Sequence, residues 1–331
     1  MKVLVTGAAG YIGSHAVRSL RQRGHAPFAL DNLSRGHRQA VPADIPFVEA
    51  DVRNTETLAS LLRTERFDCV MHFAAFAYVG ESVEAPLKYF DNNVGGTLSL
   101  LKALAGSEVR RLVFSSTCAT YGDRAEVPIV EGAVQQPINP YGASKLFCER
   151  MILDLQRSLP DLGVALLRYF NVAGCAEDGT LGEDHDPETH LVPVMLRTAL
   201  GLHPKLLVFG DDYPTPDGTC IRDYLHVEDL VEAHGGVMEA LERGDRRVYN
   251  LGVGRGYSVR EMLTAASDVV GFGIPFEVAA RRPGDPAVLY ADASKIEREV
   301  GWSARHTDLR EVIESAWRWF RRHPQGYTPR A

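Results

Sequence analysis

The stretch KVLVTGAAGYIGS, residues 2–14, decides the fold. The run 3–5 is apolar and closes on Thr6-Gly7, and 11–23 follows with helical spacing up to a stop at Gly24. Between them stand Gly7, Gly10 and Gly13, directly after a strand and opening a helix. Glycines at this spacing let the backbone turn tightly, approach a pyrophosphate closely and pack the helix near the sheet, with the helix N–H groups facing the anion. A plain glycine-rich turn would satisfy the composition, but the position at the first strand–helix junction favours dinucleotide binding. A triphosphate-binding loop is excluded, because no Gly-Lys-Ser/Thr follows.

Working outward, 27–30, 47–48, 69–73, 111–115 and 164–168 read as strands. Helical patterns fill 55–63, capped by Asn54 or Thr55, then 82–104, broken only by Pro86, and 141–158, with Leu146, Met151, Ile152 and Leu155 on one face. Such alternation predicts an α/β fold, a doubly wound parallel sheet with right-handed crossovers. After Phe170 the rhythm breaks, and 171–220 is rich in Gly, Pro, Asp and His. A return strand at 224–226 and a helix at 228–242 follow. The remainder holds strands at 248–251 and 276–279 and helices at 259–270 and 309–321. The expected organisation is a Rossmann domain over 1–170, rejoined by the chain around 221–242, and a smaller mixed α/β domain over 171–331.

A length of 331 residues suits about two domains, and 45% hydrophobic with 24% charged residues is ordinary for a globular chain. The net charge of −7, from 36 basic against 43 acidic residues, argues against a nucleic-acid binder. Cys69, Cys118, Cys148, Cys175 and Cys220 are odd in number and widely spaced, which predicts no disulfide framework and suits a reducing cytoplasm. No apolar run reaches the length of a membrane span. The N-terminus reads as a first strand rather than a signal peptide, so the expected localisation is cytoplasmic, with no membrane and no nucleic-acid partner.

Asp31 ends the second strand about 20 residues after the glycines, where a carboxylate hydrogen-bonds the adenosine ribose and repels a 2′-phosphate, favouring NAD over NADP. Arg35 and Arg38, just beyond, point the other way. Tyr141-Gly-Ala-Ser-Lys145 begins a helix, and the i, i+4 spacing sets phenol and ammonium on one face. A free tyrosine titrates near 10 and is a poor base at neutral pH, so Lys145 and a positive nicotinamide ring are expected to lower it.

Taken together, Gly7/Gly10/Gly13, Asp31, Asp51, Phe73-Ala74-Ala75, Asn92, Ser115-Ser116-Thr117 and Tyr141/Lys145 resemble the extended short-chain dehydrogenase/reductase superfamily. Within it, HFAAFAYVGES (72–82), DNNVGGT (91–97), SSTCATYGD (115–123), NPYGASK (139–145), RYFNVAG (168–174), FGDDYPTPDGTCIRDYLHVEDL (209–230) and RRPGDPA (281–287) resemble the UDP-glucose 4-epimerase family from end to end.

That resemblance implies Tyr141 as catalytic base and acid, Lys145 as its tuner and Thr117 as the hydroxyl that bonds the sugar. It implies Asp51-Val52 at the adenine and Asp31-Asn32 at its ribose. Tyr11 and Ile12 in the glycine turn, with Phe73, Ala74, Ala75, Asn92, Ser115, Tyr169 and Phe170, would line the rest of the cofactor. Asn171, Leu191, Val208, Phe209, Arg222, Tyr224, Arg282 and Asp285 match positions that grip the UDP-sugar, which would make 171–331 the UDP-sugar-binding domain. The implied reaction is NAD-dependent 4-epimerisation of a UDP-hexose. Tyr141 takes the C4 hydroxyl proton while the C4 hydride passes to NAD⁺. The 4-keto sugar turns over while held by its UDP handle, and hydride returns to the other face.

The family also implies a homodimer pairing the helices at 82–104 and 141–158. Leu289 falls where hexose-restricted relatives carry a Tyr, which implies acceptance of N-acetylated sugars unless a one-residue slip puts Tyr290 there instead. A dehydratase or decarboxylase needs an acid just after the Ser/Thr position, and Cys118 and Ala119 stand there. UDP-xylose/UDP-arabinose epimerisation and a non-catalytic NAD-sensing protein are the alternatives, the latter expected to lack the Tyr/Lys pair.

Two positions depart from the pattern. His190 replaces a common Asn, and Ala77 a Lys that some relatives carry near the NAD. His185 and His190, flanked by Asp184 and Asp186, match no zinc spacing and are read as solvated or substrate-side loop residues. No metal is expected.

Overall fold

The computed structural model describes residues 1–123, 126–282 and 284–327. Seven strands form one sheet in the order Arg246–Leu251, Gly163–Tyr169, Arg111–Thr117, Cys69–His72, Lys2–Thr6, Ala26–Asp31, Phe47–Glu49. All its pairings are parallel. A parallel sheet must be covered on both faces, so its strands read as continuous apolar runs, as Val3-Leu4-Val5 and Val164 to Leu167 do. Val5, Met71, Val113 and Leu167 pack toward the helices Tyr11–Gln22 and Val227–Ala240. Leu4, Val70, Leu112 and Leu166 pack on the opposite face, toward Thr55–Glu65, Gly96–Ala105 and Pro140–Ser158. The chain winds outward in both directions from Lys2–Thr6, so the topological switch lies between that strand and Cys69–His72. Ligands of doubly wound folds bind in the crevice at such a point.

The structure lengthens the segment that returns to this sheet. Strand Arg246–Leu251 pairs with Gly163–Tyr169 as the sheet edge, beyond the expected return at 221–242. Ile296, from helix Ser294–Val300, joins the same core. Both carry apolar residues that only the sheet's outer surface can cover.

The expected helix over 82–104 is four pieces: Val79–Glu84, Pro86–Tyr89, a wide π turn Phe90–Gly95, and Gly96–Ala105. Pro86 has no N–H to continue the first piece. The π turn re-aims Asn92 and Asn93 inward, and both are buried. A Cβ at Gly96 would lie 2.8 Å from Val52 Cγ2, so glycine there lets the last piece sit close to Val52.

The stretch 171–220 is less irregular than its composition suggests. It holds strand Asn171–Ala173, helix Leu191–Ala199 and strand Leu206–Phe209, none of which joins the main sheet. The second lobe is built on the helices Leu191–Ala199, Val259–Val270 and Leu309–Arg322 around Met195, Met262, Ile313 and Trp319. Small sheets surround them, including Tyr257–Ser258, Ile221–Arg222 and Val288–Leu289. Ser258 opens the helix Val259–Val270 with a capping box to Glu261. All five cysteines are buried and unpaired, and among the described residues no helix is long and apolar enough to cross a membrane.

Candidate active site

The crevice at the switch point begins with the glycine turn. Gly7 has φ +71° and a Cβ there would come within 2.6 Å of the Ala74 nitrogen. This is how the first turn meets the Phe73-Ala74-Ala75 loop. A Cβ at Gly13 would lie 1.9 Å from Gly7 O, so that glycine is demanded by helix–turn packing. Gly10 is different: a Cβ there would meet only Gly7 O, at 3.4 Å. The protein leaves its face open at the N-terminus of Tyr11–Gln22, where a pyrophosphate needs backbone rather than side chain. Ile12 packs on the core beneath, and the Tyr11 hydroxyl donates to Gly174 O at 2.5 Å, tying the turn to the second lobe.

Asp31 accepts the Ala9 N–H at 2.9 Å and the Leu33 N–H at 2.8 Å. Burial raises its pKa and those N–H groups pull it back. Asn32 donates to Asp51 at 2.9 Å. Arg53 grips the same carboxylate through Nε at 2.9 Å and Nη2 at 2.8 Å, and hydrogen bonding to that guanidinium holds Asp51 well below the usual carboxylate range. Arg35 donates to Asp186 O, approaches Glu81 and covers the Tyr78 ring. Arg38 donates to Val41 O at 2.7 Å and lies over Phe47. Both arginines therefore have protein partners, and a carboxylate at Asp31 is the type of group that favours NAD over NADP. The open glycine, the close turn and this carboxylate fit an NAD dinucleotide.

The expected reacting groups, Tyr141, Lys145 and Thr117, gather at the carboxyl end of strand Arg111–Thr117. Asn139 caps the helix Pro140–Ser158 by accepting the Gly142 N–H at 2.9 Å, with Pro140 in its first turn. This delivers Tyr141 and Lys145 to the end of strand Arg111–Thr117. Lys145 donates to Ser115 O at 2.8 Å, and Ser115 hydrogen-bonds the Tyr169 hydroxyl. Burial lowers Lys145 to about 8 and raises Tyr169 to about 12.

Burial also pushes the Tyr141 phenol above its ordinary value. The neighbouring Tyr169 adds to this, and a hydrogen bond with Thr117 opposes it. The lowering expected from Lys145 is thus not found in the chain by itself, because desolvation of the phenol dominates and the ammonium is engaged with Ser115 O.

Several supports were not legible as motifs. Asn93 accepts the Phe76 N–H at 2.8 Å and donates to Phe76 O and Ser144 Oγ, both at 3.0 Å, locking the loop after Cys69–His72 to helix Pro140–Ser158. Asn92 donates to it at 3.0 Å. Tyr89 packs edge-on against Tyr141, with centroids 6.4 Å apart. Glu149, one turn beyond Lys145, pairs bidentately with Arg168 at 2.9 and 2.6 Å. This buried pair fixes the helix to the neighbouring strand Gly163–Tyr169. Asp223 accepts three backbone N–H groups, from Val253, Gly254 and Ala291, while burial raises it to about 6.

Phe170 is buried with Cys118 and Leu289. Leu289 pairs with Arg222 in adjacent parallel strands, and Tyr290 lies on the other side, near Gly256. The register thus turns Leu289, not Tyr290, toward Cys118, the residue after Thr117. Arg222 is buried and bonds Asp285, with further donation to Pro286 O at 2.6 Å and Ile221 O at 2.8 Å. Arg282 lies 3.8 Å over the Phe209 ring and has no hydrogen bond or ion pair with a described residue. Both arginines match positions expected to grip the UDP-sugar; here Arg222 is held by a carboxylate, and among the described residues Arg282 has only the Phe209 ring.

Val208 and Tyr224 are core side chains of the second lobe, and Val52 is a core side chain beneath the sheet. Leu191 packs against the second lobe's core at the start of its helix. Asn171 is half-buried, its N–H on Asp223 O at 3.0 Å.

A doubly wound domain with an NAD cradle beside a Tyr/Lys/Thr cluster defines a class, and the chain belongs to the NAD dependent epimerase/dehydratase family, which it matches over residues 3–252. Among curated relatives it is 47% identical to the UDP-glucose 4-epimerase of Lactobacillus helveticus, covering 99% of each chain. It is 46% identical to the probable UDP-arabinose 4-epimerase 3 of Oryza sativa subsp. japonica, covering 98% of this chain and 83% of that one. Among solved structures, the UDP-glucose 4-epimerase from Bifidobacterium longum in complex with NAD⁺ and UDP superposes with a TM-score of 0.95 at 39% identity, covering 99% of this chain and 100% of that one.

Proposed function

We propose that the protein epimerises a UDP-hexose, UDP-glucose/UDP-galactose, at C4 with tightly held NAD. The observation that carries this reading is the convergence of Tyr141, Thr117 and Lys145 at the strand ends beside the open face of Gly10. When bound, oxidised NAD supplies a hydride acceptor and a positive charge next to the phenol. Tyr141 removes the C4 hydroxyl proton and later returns it. Thr117 bonds the same hydroxyl and, through its bond to Tyr141, favours the phenolate. Lys145, anchored on Ser115 O, holds positive charge below that phenolate. Phe73, Ala74, Ala75, Asn92, Ser115, Tyr169 and Phe170 shield the reacting carbon from water, and Asn32, Asp51 and Val52 hold the adenosine.

Residues 171–331 serve in this reading as the UDP-sugar-binding part. Arg282 on Phe209 meets the pyrophosphate, since a guanidinium suits paired phosphate oxygens. Arg222 joins it by exchanging Asp285 for phosphate, Asn171 and Leu191 hold the rest of the nucleotide, and Val208 and Tyr224 back them from the core of the second lobe. The hexose is held loosely enough to turn over.

Leu289 borders the sugar side through Cys118 and Phe170. Lacking an aromatic ring there, the pocket admits N-acetylated sugars. Wild type is therefore expected to turn over both UDP-galactose and UDP-GalNAc, and Leu289→Tyr to lose the second selectively. A panel including UDP-arabinose measures this. Wild type that converts only the pentose, or a ratio unchanged by Leu289→Tyr, contradicts the assignment.

We also infer a homodimer. Leu87 is 79% and Phe147 45% exposed, and Phe90 and Phe147 join the two helical segments with centroids 6.0 Å apart. A four-helix pairing with a second copy would bury these faces. Light scattering at micromolar concentration should give a dimer for wild type and a monomer for Leu87→Glu/Phe147→Glu; a monomeric wild type contradicts it.

A further inference from the structure

The segment before helix Leu191–Ala199 brings two carboxylates and two imidazoles to one point. In the sequence His185 and His190 stand beside Asp184 and Asp186. The structure turns Glu183 and Glu188 toward the histidines instead, their side chains only 5% and 2% exposed. His190 Nδ1 lies 2.8 Å from Glu183 Oε1 and 3.2 Å from Glu188 Oε1. His185 Nδ1 lies 3.4 Å from Glu183 Oε1 and 3.4 Å from Glu188 Oε2. One donor atom from each of the four residues falls within 4.8 Å of all the others.

These approaches are ion-pair distances between imidazoles and carboxylates, and none is a well-aligned hydrogen bond. His185 Nδ1, His190 Nδ1 and Glu188 Oε2 are buried and each lacks a hydrogen-bond partner among the described residues. Buried polar atoms are nearly always satisfied, so three orphans facing one another call for a shared partner. The other oxygen of Glu188 accepts the N–H groups of Thr189 at 2.7 Å and His190 at 2.8 Å. That leaves Oε2 turned inward, the way outer-shell bonds orient a metal ligand. An ion bound at about 2.0–2.2 Å in a tetrahedron sets its ligands roughly 3.3–3.6 Å apart. Among Glu183 Oε1, His185 Nδ1, His190 Nδ1 and Glu188 Oε2, the two separations of 3.4 Å lie in that range, and the 2.8 Å between His190 and Glu183 is shorter.

We propose that Glu183, His185, Glu188 and His190 bind one divalent cation of the zinc class. Two imidazoles select zinc, cobalt or nickel over calcium and magnesium, which take oxygen ligands. The ion has a structural role. His185 stacks edge-on against Tyr11 and Tyr78, with centroids 6.4 and 5.8 Å apart. The ion therefore fastens this segment between the glycine turn and the loop after Cys69–His72, at the mouth of the NAD cradle. The site does not depend on which sugar the enzyme takes.

The test uses the full-length protein, treated with chelator, desalted and titrated with Zn²⁺ or Co²⁺. About one ion per chain is expected to survive desalting, as for a closed four-ligand site. The Co²⁺ form should show the intense visible bands of four-coordinate cobalt, and Zn²⁺ should raise the melting temperature. Glu188→Gln and His185→Gln should each weaken binding at least roughly tenfold, the scale on which a disturbed metal site loses affinity. Failure of wild type to retain metal, a weak six-coordinate cobalt spectrum, or equal retention by both variants overturns the proposal. The cobalt spectrum of wild type decides even where a variant fails to fold.

Discussion

Tyr141→Phe is expected to keep its fold and its grip on UDP while losing about 10²–10⁴-fold in turnover, the usual worth of general acid–base help. That corresponds to roughly 3–5 kcal/mol of transition-state stabilisation. The ring stays where Tyr89 and Tyr78 pack it. The lost hydroxyl removes the acceptor of the Thr117 O–H, while Thr117 Oγ1 keeps the Ala119 N–H at 3.2 Å, so the local cap survives. Removing the hydroxyl also removes the one polar atom whose burial pushes the phenol's pKa upward. Steady-state kcat, melting temperature and calorimetric binding of UDP together check this. Turnover within about threefold of wild type would assign the proton transfer to another group.

Gly10→Val is expected to strip the purified protein of its dinucleotide while melting at nearly the same temperature as wild type freed of its cofactor. The backbone at Gly10 has φ −77° and ψ 173°, extended values open to any residue. A Cβ there meets only Gly7 O at 3.4 Å. What the side chain fills is the approach reserved for a pyrophosphate. Cofactor retention should fall at least roughly tenfold, about 1.4 kcal/mol of binding. Gly13→Ala is the contrast: its Cβ would collide with Gly7 O at 1.9 Å, so stability and cofactor fall together. Chromatography of the nucleotide released on denaturation reads both variants. Full occupancy in Gly10→Val would mean that the glycine serves the turn rather than the ligand.

Much of this architecture is legible in the chain because its signals are local. The glycine turn, the cap before the helix at 55–63 and the apolar strands each depend on neighbours within a few residues, and of Asn54 and Thr55 it is Asn54 that accepts the Thr57 N–H. The Tyr141/Lys145 pair is legible for the same reason. Other features depend on contacts between distant segments. Glu149 and Arg168 carry no spacing signal, because their pairing exists only once the helix lies along strand Gly163–Tyr169. The edge position of Arg246–Leu251 is likewise a matter of what covers the sheet. The π turn at Phe90–Gly95 is a change of backbone hydrogen bonding that an apolar pattern does not record. Helix Leu191–Ala199 is masked by Pro193, which reads as a breaker but sits in the first turn, where proline is tolerated. The expected lowering of the Tyr141 pKa fails because opposite charge is a pairwise inference from spacing, whereas desolvation belongs to the assembled crevice.

The central claim is that hydride leaves C4 and returns to the same carbon within one closed site while Tyr141 handles the proton. It is tested most directly by incubating the protein as purified, with no NAD added, with UDP-galactose deuterated at C4. The expected product is UDP-glucose that keeps its deuterium at C4. Loss of the label to solvent, a requirement for stoichiometric added NAD, or absence of product would contradict the claim.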